Sequence, residues 1–104
     1  MHDKMMKELP FKTELDVLDW RELAGRFLVI YDYMQFPKNP PARNLFAHAA
    51  DGTELWRAEP ISTESADAYT NFISESPLVV GNFIGFNVTI DPQTGKVVDK
   101  VFTK

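Results

Sequence analysis

Residues 77–103, PLVVGNFIGFNVTIDPQTGKVVDKVFT, constrain this chain more than any other stretch. They read as one continuous β-meander. An apolar run, Leu78-Val79-Val80, leads to a corner at Gly85. The next segment alternates, with Phe86, Val88 and Ile90 facing inward and Asn87 and Thr89 outward. Asp91-Pro92-Gln93-Thr94-Gly95 has the composition of a turn, with Asp91 expected to cap it through its own side chain. Val97 to Phe102 then returns as the last strand. Lys96, Lys100 and Lys104 near this strand discourage edge-to-edge pairing.

An echo lies upstream. Leu28-Val29-Ile30-Tyr31 aligns with Leu78-Val79-Val80-Gly81, Leu45, Ala47 and Ala49 with Phe86, Val88 and Ile90, and Leu55 with Val98. Asp51-Gly52 takes the place of the 91–95 turn and is expected to form a two-residue type I′ hairpin, which needs φ > 0 twice. What the copies do not share are their linkers. The first contains QFPKNPPAR (35–43), a stiff proline-rich connection with Phe36 at its tip. The second is preceded by an acidic connection, 59–75.

The remaining segments fit an all-β chain. Phe11, Thr13, Leu15 and Val17 alternate with polar residues, which suits a half-buried strand running through Leu18, followed by a turn region to Gly25. A helix over 16–23 is the rival reading. Residues 26–34, RFLVIYDYM, are apolar on both faces and should form a central strand. Asp32 interrupts one face, so it must lie near the sheet end or be paired. Residues 68–73 are rich in β-formers, and a capped helix over 63–72 competes with a strand there. The expected architecture is two antiparallel meanders of about seven or eight strands, packed as a sandwich or open barrel with room for one short helix.

Length and composition set the outer limits. The 104 residues make a single domain (1–104) with a loose arm over 1–10, and 44% hydrophobic residues suffice for a core. The chain has no Cys, which excludes disulfides and thiolate chemistry. The charged N-terminus has no apolar segment of signal-peptide type, and no run approaches membrane-spanning length, so a cytoplasmic protein is expected. Net charge is −4, against a nucleic-acid partner. No Lys or Arg occurs between Ala58 and Gly95.

The doubled pattern resembles the blade repeats of quinoprotein-type β-propellers. The matching stretches are Ile90-Asp91-Pro92-Gln93-Thr94-Gly95-Lys96-Val97-Val98 and Asp51-Gly52-Thr53-Glu54-Leu55-Trp56. The resemblance implies two blade-like meanders, packed together or completed by self-association through sheet edges. A closed propeller needs roughly four to eight blades. The family's quinone cofactor, calcium and dehydrogenase activity are not carried over, because no residue here matches their ligands.

Chemistry-bearing constellations are sparse. His48 lacks the company of other His or Cys ligands that a metal site needs, so no metal or cofactor is expected. The serines lack a nucleophile elbow, so no catalytic residues are assigned. Trp20 and Trp56 are expected in the core. The leading expectation is a non-catalytic protein-binding domain, in one version an immunity-like inhibitor of a basic partner. Its contact residues would be Phe36, Glu59, Glu64, Asp67, Tyr69 and Glu75. The alternative is a small-ligand or enzymatic domain with a pocket between the meanders lined by Tyr31, Tyr33, Trp56 and Tyr69.

Overall fold

The structure is a computed structural model and describes residues 8–37 and 39–103. Of the arm expected over 1–10, residues 1–7 lie outside the described residues, and 8–10 are irregular. The fold is all-β. Strands β1 (Val17–Leu23), β2 (Arg26–Tyr31), β3 (Leu45–His48) and β4 (Glu54–Arg57) form one sheet in that order. Strands β5 (Tyr69–Glu75), β6 (Leu78–Asn82), β7 (Phe86–Ile90) and β8 (Val97–Phe102) form the other. Every pairing is antiparallel. The helical alternatives over 16–23 and 63–72 are not adopted. A single 3-10 turn, Tyr33–Gln35, follows β2.

Each sheet contributes one face to a common core. Leu28 and Ile30, Leu45 and Ala47, and Trp56 come from the first sheet. Tyr69 and Phe72, Leu78 and Val80, and Val88 and Ile90 come from the second. The alternation in β7 therefore has the polarity expected for a half-buried strand. Trp56 joins the core, whereas Trp20 is half-buried and packs against Phe27 on the other face of the first sheet.

The sheets are fastened at their flanks by side chains, so no barrel closes. Asp19 on β1 accepts a hydrogen bond from the Phe72 amide of β5 at 3.1 Å. Arg21 lies over the Phe72 ring and pairs with Glu75 at 3.3 Å. On the opposite flank, Trp56 Nε1 donates to the Pro92 carbonyl at 2.9 Å, and the Val97 amide donates to Glu59 at 2.8 Å. Asn44 bridges the interior. It is fully buried, donates to the carbonyls of Tyr31 and Tyr69, and accepts from the Tyr69 amide.

Three local expectations are corrected. Residues 11–16 are not a strand. They pass over the outer face of the first sheet, with Phe11 5.0 Å from the His48 ring and 6.1 Å from the Phe27 ring. Their alternation reflects burial against side chains, without a ladder partner. The Asp51-Gly52 hairpin is not type I′: the Ala49 carbonyl accepts from the Gly52 amide, only Gly52 has φ > 0, and the Asp51 side chain accepts from the Thr53 amide. The turn region expected from Leu18 to Gly25 is instead strand through Leu23, with the turn confined to Ala24-Gly25, both at φ > 0. Asp91 behaves as expected, its side chain accepting from the Gln93 amide. Asp32 stands at the end of β2 and caps the 3-10 turn by accepting from the Met34 amide.

Candidate functional site

The two segments that set the copies apart meet at one end of the sandwich. The 3-10 turn and the proline-rich connection supply Tyr33, Met34, Phe36, Pro37 and Ala42. The acidic connection supplies Ser65, Ala66 and Ala68, and the β6–β7 turn supplies Phe83. Together they line a cleft of about 350 Å³. Buried Ala42 and Ala68 contribute to its lining, whereas Met34 is 77% and Phe83 59% exposed. The Tyr33 and Phe83 rings stand 5.7 Å apart across the two connections. Exposed Met34 and Phe83 thus extend the apolar lining of the cleft onto the surface.

Local chemistry explains why the backbone holds this shape. Asp32 fixes the start of the 3-10 turn, and Gln35 donates to the Asp16 carboxylate while its own side-chain oxygen accepts from the Asp16 amide. Phe36 is half-buried, folded back with Arg57 5.9 Å from its ring centroid, and is not the tip of a protruding loop. On the other wall, the Asp67 carboxylate gathers the chain. It accepts from the Ile61 and Ser62 amides, the Ser62 hydroxyl and the Asn82 side chain.

The expected contact residues divide accordingly. Asp67 is 1% exposed and its oxygens are committed to those four donors, so it organises the connection and offers a partner nothing. Tyr69 is equally buried, and its hydroxyl donates to the Glu59 carbonyl at 2.6 Å. Burial pushes the Tyr69 hydroxyl well above its ordinary pKa, with the nearby Asp67 and Glu59 charges acting in the same direction. Glu59 is exposed but holds the start of β8, and Glu75 is exposed beside Arg21. Tyr69 and Glu75 stand at opposite ends of β5, about 20 Å apart at the usual strand rise. The acidic residues therefore do not share one face. Glu64 is exposed and adjoins Ser65 of the cleft in sequence.

The four aromatic residues expected to line a pocket between the meanders also separate. Trp56 and Tyr69 fill the core, Tyr33 lines the end cleft, and Tyr31 turns to the outer face beside His48. His48 Nδ1 lies 3.0 Å from the Gly52 carbonyl, which can only accept, so Nδ1 carries the proton. Nε2 lies 2.8 Å from the Tyr31 hydroxyl. Both ring nitrogens are occupied structurally. Among the described residues, no group of three His, Asp or Glu side chains is placed to hold a metal ion, and no helix is long and apolar enough to cross a membrane.

Met34, Ala42, Ala66 and Phe83 were not singled out from the sequence. The one visible signal was Phe83, a large apolar residue in a tight turn where polar residues are the rule.

Searches of curated proteins and of solved structures gave no significant match. Residues 8–102 match the family model described as domain of unknown function DUF7957, which covers both sheets and the whole of the cleft. The chain belongs to the DUF7957 family.

Proposed function

We propose that this chain is a non-catalytic binding domain for another protein, and that the end cleft receives an apolar side chain of that partner. The observation that carries the proposal is the cleft itself, with Met34 and Phe83 exposed beside it. Flexible Met and aromatic side chains around a concavity are the usual means by which a surface accepts an apolar anchor. Charge is a weaker guide, because the acidic residues expected to meet a basic partner are dispersed or buried. The β8 edge, with Val98, Val101 and Phe102 exposed, is another apolar surface. Symmetric antiparallel pairing of two copies centred on Asp99 or Lys100 would set like charges opposite each other, which disfavours it.

The strand order supports a further part of the reading, that the chain is a doubled four-strand meander. The aligned segments 28–31 and 78–81 occupy the second strand of their respective sheets.

A photo-reactive phenylalanine at position 83 tests the binding surface, with the same probe at exposed Leu55 as control. Capture in the native cell of one protein species from position 83, absent from position 55, is the expected result. Equal capture from both positions overturns the assignment. A small apolar ligand is the second reading, since the cavity volume lies within the roughly 300–1,000 Å³ typical of ligand sites. It predicts a co-purifying small molecule and no cross-linked protein.

A further inference from the structure

At the end of the proline-rich connection Arg43 neighbours Arg57, and neither has an acidic partner among the described residues. Arg57 of β4 lies over the rings of Phe46 and Phe36, at 5.0 and 5.9 Å. Its Nε donates to the Arg43 carbonyl at 2.9 Å and its Nη2 to the Ala42 carbonyl at 2.8 Å. Arg43 reciprocates, Nε donating to the Ala58 carbonyl at 3.2 Å and Nη2 to the Arg57 carbonyl at 3.4 Å. All four acceptors are neutral. Among the described residues the ion pairs are those of Arg21, with Asp19 and Glu75, and neither Arg43 nor Arg57 has one.

Such an arrangement exceeds what a structural clamp requires. Neutral amide or hydroxyl donors would hold the same carbonyls without bringing two like charges together. The repulsion is felt: burial lowers the Arg57 pKa from its ordinary value, Arg43 lowers it further, and Glu54 opposes them from beyond ion-pair distance. Both residues are only partly buried. Each keeps its Nη1 group uncommitted among the described residues. Two neighbouring guanidinium groups with free N–H donors, one of them lying over aromatic rings, offer the charge-assisted hydrogen bonds that oxyanions take.

We propose that Arg43 and Arg57 form an oxyanion-binding site, taking a phosphate or carboxylate group on their free Nη edges. The site adjoins the apolar cleft: Phe36 lines the cleft and lies beneath Arg57, and Ala42 lines the cleft while its carbonyl accepts from Arg57.

The test is a titration of the whole chain with inorganic phosphate, and separately with acetate, at constant ionic strength. The readout is the Nε–Hε resonances of its four arginines. The expected result is saturable shifts at Arg43 and Arg57 but not at Arg21 or Arg26. Arg43→Gln should weaken binding by about tenfold or more, the size expected for losing a charge-assisted hydrogen bond. Arg57→Lys keeps the charge while removing the fork, and should weaken binding with the fold intact by its amide spectrum. Saturation by phosphate alone assigns a phosphate ligand, and saturation by both anions a carboxylate-compatible site. Either outcome supports the proposal. Non-saturating shifts shared by all four arginines, or unchanged affinity in Arg43→Gln, would overturn it.

Discussion

The two sheets share one strand order but differ in their outer faces. The first is apolar on both sides. Val29, Tyr31, Phe46 and His48 face away from the common core, and Phe11 packs against the His48 ring there. The second presents Asn87, Thr89 and exposed Ile73 outward and has no such cover among the described residues. Their connections differ as well. The second sheet turns through short loops, whereas the first needs the long proline-rich segment that builds the cleft. One meander thus serves chiefly as a wall of the core. The other is a layer between the core and an outer aromatic cluster, and recognition is proposed where its connections reach the end of the sandwich.

The contrast can be broken in graded steps. The largest effect is expected where the sheets depend on one side chain. Asn44→Ala leaves two carbonyls and an amide unpaired in a fully buried position, and should cost about 3–4 kcal/mol in urea unfolding. A smaller cost would mean that water replaces the amide.

Next come two glycines with nearly the same φ, Gly25 at 81° in the β1–β2 turn and Gly95 at 78° before β8. A Cβ at Gly25 meets nothing within 4 Å, whereas one at Gly95 would overlap the Trp56 ring. Gly25→Ala should cost about 1 kcal/mol, from backbone strain alone. Gly95→Ala should cost about 3 kcal/mol, with quenching or shift of Trp56 fluorescence as its ring is displaced. Equal costs would show that the 91–95 turn is not seated on Trp56.

Val29→Ala and Val79→Ala compare the outer faces directly. Val29 is fully buried there, while Val79 is only half-buried. About 2 kcal/mol is expected for the first and under about 1 for the second.

Much of this architecture was legible in the sequence, for identifiable reasons. Strands buried on one face, such as β7, advertise themselves by alternation, and β2 shows its double burial by being apolar on both sides. The 11–16 segment misled because alternate burial does not require a ladder. The Ala24-Gly25 hairpin was hidden because Ala rarely adopts φ > 0. The cleft could not be read at all, since its walls come from positions 33–42, 65–68 and 83, joined only by the fold. Asp67 and Tyr69 looked like surface residues because their polar groups are typical of surfaces. Only the structure reveals donors and acceptors that let them be buried.

The smallest effect concerns pH. Tyr69 and Tyr31 both hold their protons above the ordinary tyrosine value, chiefly through burial. Unfolded tyrosines ionise near about pH 10. Above that point the native state binds more protons, so stability is fully present below about pH 10 and falls as pH rises toward the native values. Urea midpoints at rising alkaline pH should decline, and Tyr69→Phe should flatten that decline.

The central claim, that recognition lies in the end cleft and not on an acidic face, has one most direct measurement. It is the calorimetric affinity for the protein captured through position 83. Met34→Ser and Phe83→Ser should each weaken binding by about tenfold or more at unchanged melting temperature, while Glu59→Gln and Glu75→Gln change it by less than about twofold. The reverse pattern, with the glutamate variants losing affinity and the cleft variants binding normally, would contradict the account.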